Sequence, residues 1–159
     1  MAQWTDYEPY KDRSVAEFRA KREMSGLSTY DVAHELGVAV NTVKRWESPH
    51  YFPPSPAAWR FIDRAYEQHK KRVSEIIDKA IEEFDENDEK PIVIGWYRNG
   101  KLTGRDVGES NAISQAVTES LISLGYPVRI VWADPEDDLE QIEAISSFYH
   151  MDGKNPANI

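Results

Sequence analysis

Ser28-Thr29-Tyr30-Asp31-Val32-Ala33-His34-Glu35-Leu36-Gly37-Val38-Ala39-Val40-Asn41-Thr42-Val43-Lys44-Arg45-Trp46-Glu47 is the stretch that organises the rest of the chain. It reads as two short helices joined by a tight turn. Ser28 is an N-cap candidate, and Asp31, three residues on, takes the place of the usual Glu or Gln of a capping box. Val32, Ala33 and Leu36 follow at helical spacing on one face. Gly37 stands where the first helix has to stop, because glycine takes the left-handed C-terminal conformation without a Cβ penalty. Val43 and Trp46 give the second helix a buried face, and Asn41, Thr42, Lys44 and Arg45 leave the remainder polar.

Two helices that cross steeply need a small residue where they touch, and Ala33 is placed to supply it. The turn then fixes the angle at which the second helix offers its polar face to a groove. The major groove of B-form DNA admits one α-helix, and its base edges carry a distinguishable code of donors and acceptors. Asn pairs bidentately with adenine, and Lys or Arg with guanine. Ala33, Gly37, Val38, Val43 and Trp46, with the closing Trp46-Glu47 pair and the preceding Gly26-Leu27-Ser28, stand at the offsets of a known motif. The segment resembles the helix-turn-helix of the phage-repressor (Cro/C1, xenobiotic-response-element) family. That resemblance implies a sequence-specific DNA-binding regulator with Val40, Asn41, Thr42, Lys44 and Arg45 toward the groove. Ser28 and Thr29, with the helix N-terminus beside them, are the expected phosphate contacts. Lys44 and Arg45 serve either bases or phosphates. The family usually has Gly soon after the Trp-Glu pair, whereas this chain has the apolar, proline-rich Ser48-Pro49-His50-Tyr51-Phe52-Pro53-Pro54.

The flanking sequence builds a domain around the motif. A first helix is expected from Asp12 or Ser14 to Met24, with Val15, Phe18 and Met24 inward and Arg19, Lys21 and Arg22 outside. Trp4, Tyr7 and Tyr10 of the N-terminal arm are expected to pack on the domain, since a minor-groove arm carries Arg and none precedes Arg13. Pro53-Pro54-Ser55-Pro56 is a break and restart, with Ser55 as N-cap and Pro56 in the first helical position. Trp59, Ile62, Tyr66, His69, Val73, Ile76, Ala80 and Phe84 then advance by threes and fours. The pattern predicts one helix of roughly 28 residues, about 42 Å long. Its stripe needs a partner along its side, within the subunit or from a second chain. Two-fold operator recognition favours the second.

From Pro91 the periodicity changes. Ile92 to Tyr97 reads as a strand, Arg98-Asn99-Gly100-Lys101 as a turn, and Leu102 to Val107 as a return strand or loop. Ser110 is expected to cap a helix from Asn111 to Leu124 that Gly125 ends, with Ile113, Ala116, Val117, Leu121 and Leu124 inward. Val128 to Ala133 is a second strand, parallel to the first if the two are neighbours. A last helix after Asp134-Pro135 carries Leu139, Ile142, Ile145 and Phe148 or Tyr149 inward. The expected organisation is a mainly α helix-turn-helix domain over 1–58, of four to five helices counting the long one that follows. Residues 59–90 form that connecting helix and a charged linker. A small α/β domain over 91–153 and a tail over 154–159 complete the chain.

Bulk properties narrow the function. No apolar run approaches the ~20 residues of a membrane span, and the N-terminus lacks the pattern of a secretory signal. With no cysteine there is no thiolate nucleophile and no disulfide framework, and His34, His50, His69 and His150 form no spaced ligand motif. A cytoplasmic protein with no metal and no cofactor is expected. Gly104-Arg105-Asp106-Val107-Gly108 lacks the context of a phosphate loop, and Ser110, Ser114 and Ser120 have no triad spacing, so an enzyme is not expected. Asp134, Glu136, Asp137 and Asp138 lack the ligand spacing of an EF-hand and suit a solvated helix start.

The net charge is −9, but residues 1–60 hold eight basic and eight acidic residues, so the excess acid lies beyond the motif. A local basic patch then holds DNA with marked salt dependence while the acidic half is repelled from phosphate. In the order of its elements the chain is also similar to small bacterial and phage regulators with a C-terminal α/β dimerisation domain, the anti-CRISPR-associated autorepressors among them, and that similarity implies dimerisation through 91–153. The expected partners are therefore an operator duplex and a second copy of the chain. The rival reading is an antitoxin-like interaction module whose acidic C-terminal half grips a protein partner. A small-molecule sensor ranks behind both.

Overall fold

The computed structural model describes residues 13–98 and 107–133. The aromatic arm, the Asn99-Gly100 turn, the segment 102–106, the acidic cluster, the last helix and the tail expected from sequence lie outside the described residues. Those described form five helices and two strands: α1 (Val15–Met24), α2 (Thr29–Leu36), α3 (Val40–Trp46), α4 (Pro56–Glu83), β1 (Ile92–Trp96), α5 (Val107–Ser123) and β2 (Val128–Trp132). The protein is thus mainly helical with one small parallel sheet. No helix among the described residues is long and apolar enough to cross a membrane. Backbone packing divides the chain into two compact units, Met1–Gln68 and His69–Ile159. The division falls inside α4, whose first half supplies Trp59 and Ile62 to one core and whose second half supplies Ile76 and Ala80 to the other.

In the first unit the ends of the helices are set by local chemistry. Ser14 caps α1 and accepts the N–H of Glu17. At α2 the capping box is complete: Ser28 Oγ accepts the Asp31 N–H at 3.0 Å, and Asp31 accepts the Ser28 N–H at 2.7 Å. Gly37 ends α2 at φ 64°, ψ 34°. The Val38 N–H then reaches back to Ala33 O and the Gly37 N–H to His34 O, which satisfies carbonyls the helix end would orphan. Ser55 caps α4, its Oγ accepting the Ala58 N–H at 3.1 Å. The core gathers Phe18, Val32, Ala33, Val43, Trp46, Trp59 and Ile62. Phe18 lies edge-on to Trp46 at 6.2 Å and to Trp59 at 5.4 Å, a favourable aromatic geometry. Ala33 is buried, as expected for the residue at the α2–α3 contact. Met24 is a correction: it is 47% exposed. At 3.6 residues per turn, the residue above Phe18 two turns on is Ser25, and Ser25 is the one buried.

In the second unit β1 and β2 run parallel in register, from Ile92 opposite Val128 to Trp96 opposite Trp132. The second half of α4 supplies Ile76 and Ala80 to a core with Ile92, Ile94, Ile113, Val117, Leu121 and Val131. Helix α5 starts earlier than expected, at Val107, so Ser110 is not its cap but an interior residue, 1% exposed. Leu124, expected inside, falls past the helix end and is 61% exposed. Gly125, at φ 89°, closes α5 with the same pair of bonds as Gly37, Tyr126 N–H to Leu121 O and Gly125 N–H to Ile122 O. Two polar side chains tie α5 to the end of β1. Asn111 exchanges hydrogen bonds with both backbone groups of Tyr97 at 2.9 and 2.8 Å, and Ser114 donates to Gly95 O at 2.7 Å. A side chain at Gly95 would collide with Ala133, whose Cβ would lie 2.9 Å away, so the close approach there requires glycine.

Candidate functional site

Helix α3 is seven residues long and amphipathic in a simple way. Val43 and Trp46 are buried, and Val40 packs its methyls against the same core. At 100° per residue the opposite face carries Asn41, Lys44 and Arg45, and all three are exposed. Thr42 lies on the flank, partly buried. Of the five groove residues expected on this helix, three therefore share one open face, while Val40 and Thr42 divide themselves between face and core. The side chains of Asn41 and Lys44 have no hydrogen-bond or ion-pair partner among the described residues. The Arg45 guanidinium stands over the Tyr51 ring at 5.9 Å.

The start of α2 differs from the expectation in its charge. Ser28 Oγ is already the acceptor for Asp31 N–H, and the Asp31 carboxylate occupies the helix N-terminus. An incoming phosphate there meets a carboxylate that already serves the dipole. What Ser28 retains is its hydroxyl proton. Thr29 is partly buried beside it.

Of the basic residues of α1, Arg19 lies outside as expected, but Lys21 and Arg22 are drawn into ion pairs. Arg22 forms a two-pronged pair with Glu47, Nε to Oε1 at 2.6 Å and a second nitrogen to Oε2 at 3.2 Å. Its third nitrogen donates to Leu27 O at 2.9 Å. The pair is nearly enclosed, with side-chain exposures of 11% and 7%. It ties α1 and the turn before α2 to the end of α3. Arg13 makes a second fork, to both oxygens of Asp63 at 2.6 Å and to Glu17 at 2.9 and 3.1 Å. Its guanidinium lies 4.0 Å from the centre of the Trp59 ring. Lys21 joins at Asp63, 3.0 Å away. The hydrogen bond from Arg13 is the main reason the Asp63 and Glu17 carboxyls are held below their ordinary range, and Asp63 in turn raises the Arg13 guanidinium. Arg19 pairs with Glu23 at the surface, 2.9 Å away.

The consequence is electrostatic. Arg13, Arg19, Lys21 and Arg22 are paired with acids of the unit, Arg19 at its surface, while Lys44, Arg45 and Arg60 are exposed, with Asn41 between Lys44 and Arg45 in the helical projection. Sequence reading left Arg22 outside, gave Glu47 no partner and did not foresee the pairing of Arg13 with Asp63. The available signals were the i, i+4 pair Arg13–Glu17 and the acid at the end of an apolar-faced helix. It also left Tyr51 and Phe52 without a role, and they are 60% and 76% exposed just beyond α3. No family model matches this chain, and no curated protein matches it.

Proposed function

We propose that this protein is a sequence-specific DNA-binding transcriptional regulator of the Cro/C1 helix-turn-helix type, most simply a dimeric repressor or autorepressor. Helix α3 lies in the major groove of a palindromic operator half-site. The observation that carries the reading is the open face of Asn41, Lys44 and Arg45 on a short helix fixed at both ends. Gly37 sets its entry, and the Arg22–Glu47 pair holds its exit. Asn41 supplies a bidentate amide for adenine, and Arg45 and Lys44 supply cations for guanine or phosphate. Arg13 and the cations of α1 are paired with acids, whereas Lys44 and Arg45 keep their charge for a ligand beside Asn41. Thr29 and the Ser28 hydroxyl touch the backbone, the weaker part of the assignment given Asp31.

A rival reading, an antitoxin-like module that grips a protein, is favoured by a different observation. In the second unit Ile122, Leu124, Ile130 and Trp132 are all more than two-fifths exposed. Isolated exposed apolar residues are common, but Ile130 and Trp132, two apart on β2, share one face of the sheet and suit a surface that is covered by another chain. A second copy of this protein satisfies that as well as a toxin does.

Selection from random duplexes by the full-length protein separates the two. The regulator reading expects an inverted repeat with half-sites about one helical turn apart. A failure to enrich any sequence, with weak binding that disappears as salt rises, overturns it and leaves the interaction module.

A further inference from the structure

The segment that follows α3, Ser48-Pro49-His50-Tyr51-Phe52-Pro53-Pro54, presents an aromatic pair to solvent. Phe52 is 76% exposed and Tyr51 60%. The segment is nonetheless held at both ends. Glu47 before it is clamped by Arg22, and Pro54 after it is fully buried. Within it the Tyr51 N–H bonds to Ser48 O at 3.4 Å. Proline at 49, 53 and 54 limits the backbone further. The ring of Phe52 is thus displayed on a restrained loop, next to the helix whose open face carries the cations.

A loop that holds Tyr51 against Arg45 and displays the ring of Phe52 next in sequence suits a partner that is anionic and locally apolar. A second copy of the same loop would bring like charges together. A duplex in the major groove offers phosphates and one apolar group, the 5-methyl of thymine; the base faces are closed by stacking. Resting on the DNA-binding reading above, we propose that Phe52 packs on a thymine 5-methyl group at the border of each operator half-site. Tyr51 acts as a positioning residue: its ring, 5.9 Å from the Arg45 guanidinium, turns that cation toward the same groove. The loop then adds a base preference outside the positions that α3 reaches.

The test uses full-length wild type and Phe52→Ala. Both are put through selection from random duplexes, and each flanking thymine of the wild-type winner is then replaced by deoxyuridine, which removes only the methyl. Wild type is expected to lose about fourfold in affinity at one flanking position per half-site, the worth of one buried methyl. Phe52→Ala is expected to select the same central bases, lose the flanking thymine and show no difference between thymine and deoxyuridine. Phe52→Leu, which keeps an apolar group, should keep part of the preference. If Phe52→Ala selects the same flank and suffers the same deoxyuridine penalty, Phe52 does not read the methyl, and the regulator reading survives. If Phe52→Ala changes the sedimentation of the protein without DNA, the ring belongs to a subunit interface and the proposal falls. If wild type enriches no sequence, the regulator reading fails and takes this inference with it.

Discussion

Arg22 and Glu47 are 25 residues apart in sequence and 2.6 Å apart in space. A bidentate pair this enclosed is worth little relative to an apolar pair of the same shape, but it is costly to break from one side. Arg22→Leu strands the Glu47 carboxylate, 7% exposed, with no counter-charge. The expected loss is about 3–5 kcal/mol in urea unfolding, and the double variant Arg22→Leu, Glu47→Leu should recover much of it. Equal destabilisation of single and double variants would contradict this account of the pair. Asp63 gives a pH-dependent counterpart. Its carboxyl, like that of Glu17, is depressed in the folded protein, chiefly by the hydrogen bond from Arg13. Such groups contribute stability that is present above their unfolded pKa and lost as pH falls through the folded one. Stability should therefore decline below about pH 4, the ordinary carboxylate range. Asp63→Asn should flatten that decline while lowering stability at neutral pH. An unchanged acid limb in the variant would mean that Asp63 does not gain its charge partner in solution.

Helix α5 places hydroxyls along one buried line, Ser110, Ser114 and Thr118, and the three are not equivalent. Ser114 donates to Gly95 O, whereas Ser110 Oγ and Thr118 Oγ1 are buried without a partner among the described residues. Removing a made bond costs and removing an orphaned hydroxyl does not. Ser114→Ala should lower stability by about 1–2 kcal/mol, and Thr118→Val, which keeps the shape, should be neutral or stabilising. A thermal melt of both variants checks the contrast, and a destabilised Thr118→Val would show that the hydroxyl has a partner. The same helix shows where sequence reading stops. The elements with local punctuation were legible: the capping box at Ser28, the left-handed Gly37, Ser55-Pro56 and the full 28-residue run of α4. Helix α5 was placed late because Ser110 looks like a cap, and only its surroundings in the fold decide whether a serine faces water or the interior. Ion pairs across long separations, Arg13 to Asp63 and Arg22 to Glu47, have no periodic signature. The polar face of α3 did have one, and Asn41, Lys44 and Arg45 follow directly from the spacing of Val43 and Trp46.

At the scale of the whole molecule, charge and association govern the proposed behaviour. The acid excess lies beyond residue 60, and Arg13 and the three α1 cations are paired with acids. Non-specific affinity for DNA should thus be modest, and specificity should rest on a few contacts per half-site, doubled by a second copy. The exposed Ile130 and Trp132 of β2, in a sheet of only two described strands, give the second unit an apolar surface that association would cover. The most direct test is a titration by fluorescence anisotropy of the selected duplex and of a scrambled one, with wild type, Asn41→Ala and Arg45→Ala, at several salt concentrations. Both side chains are exposed, so neither variant should unfold. The account predicts a loss of about 1–3 kcal/mol on the selected duplex for each lost bidentate contact, with little change on the scrambled one. Variants that bind the selected duplex as tightly as wild type would contradict it.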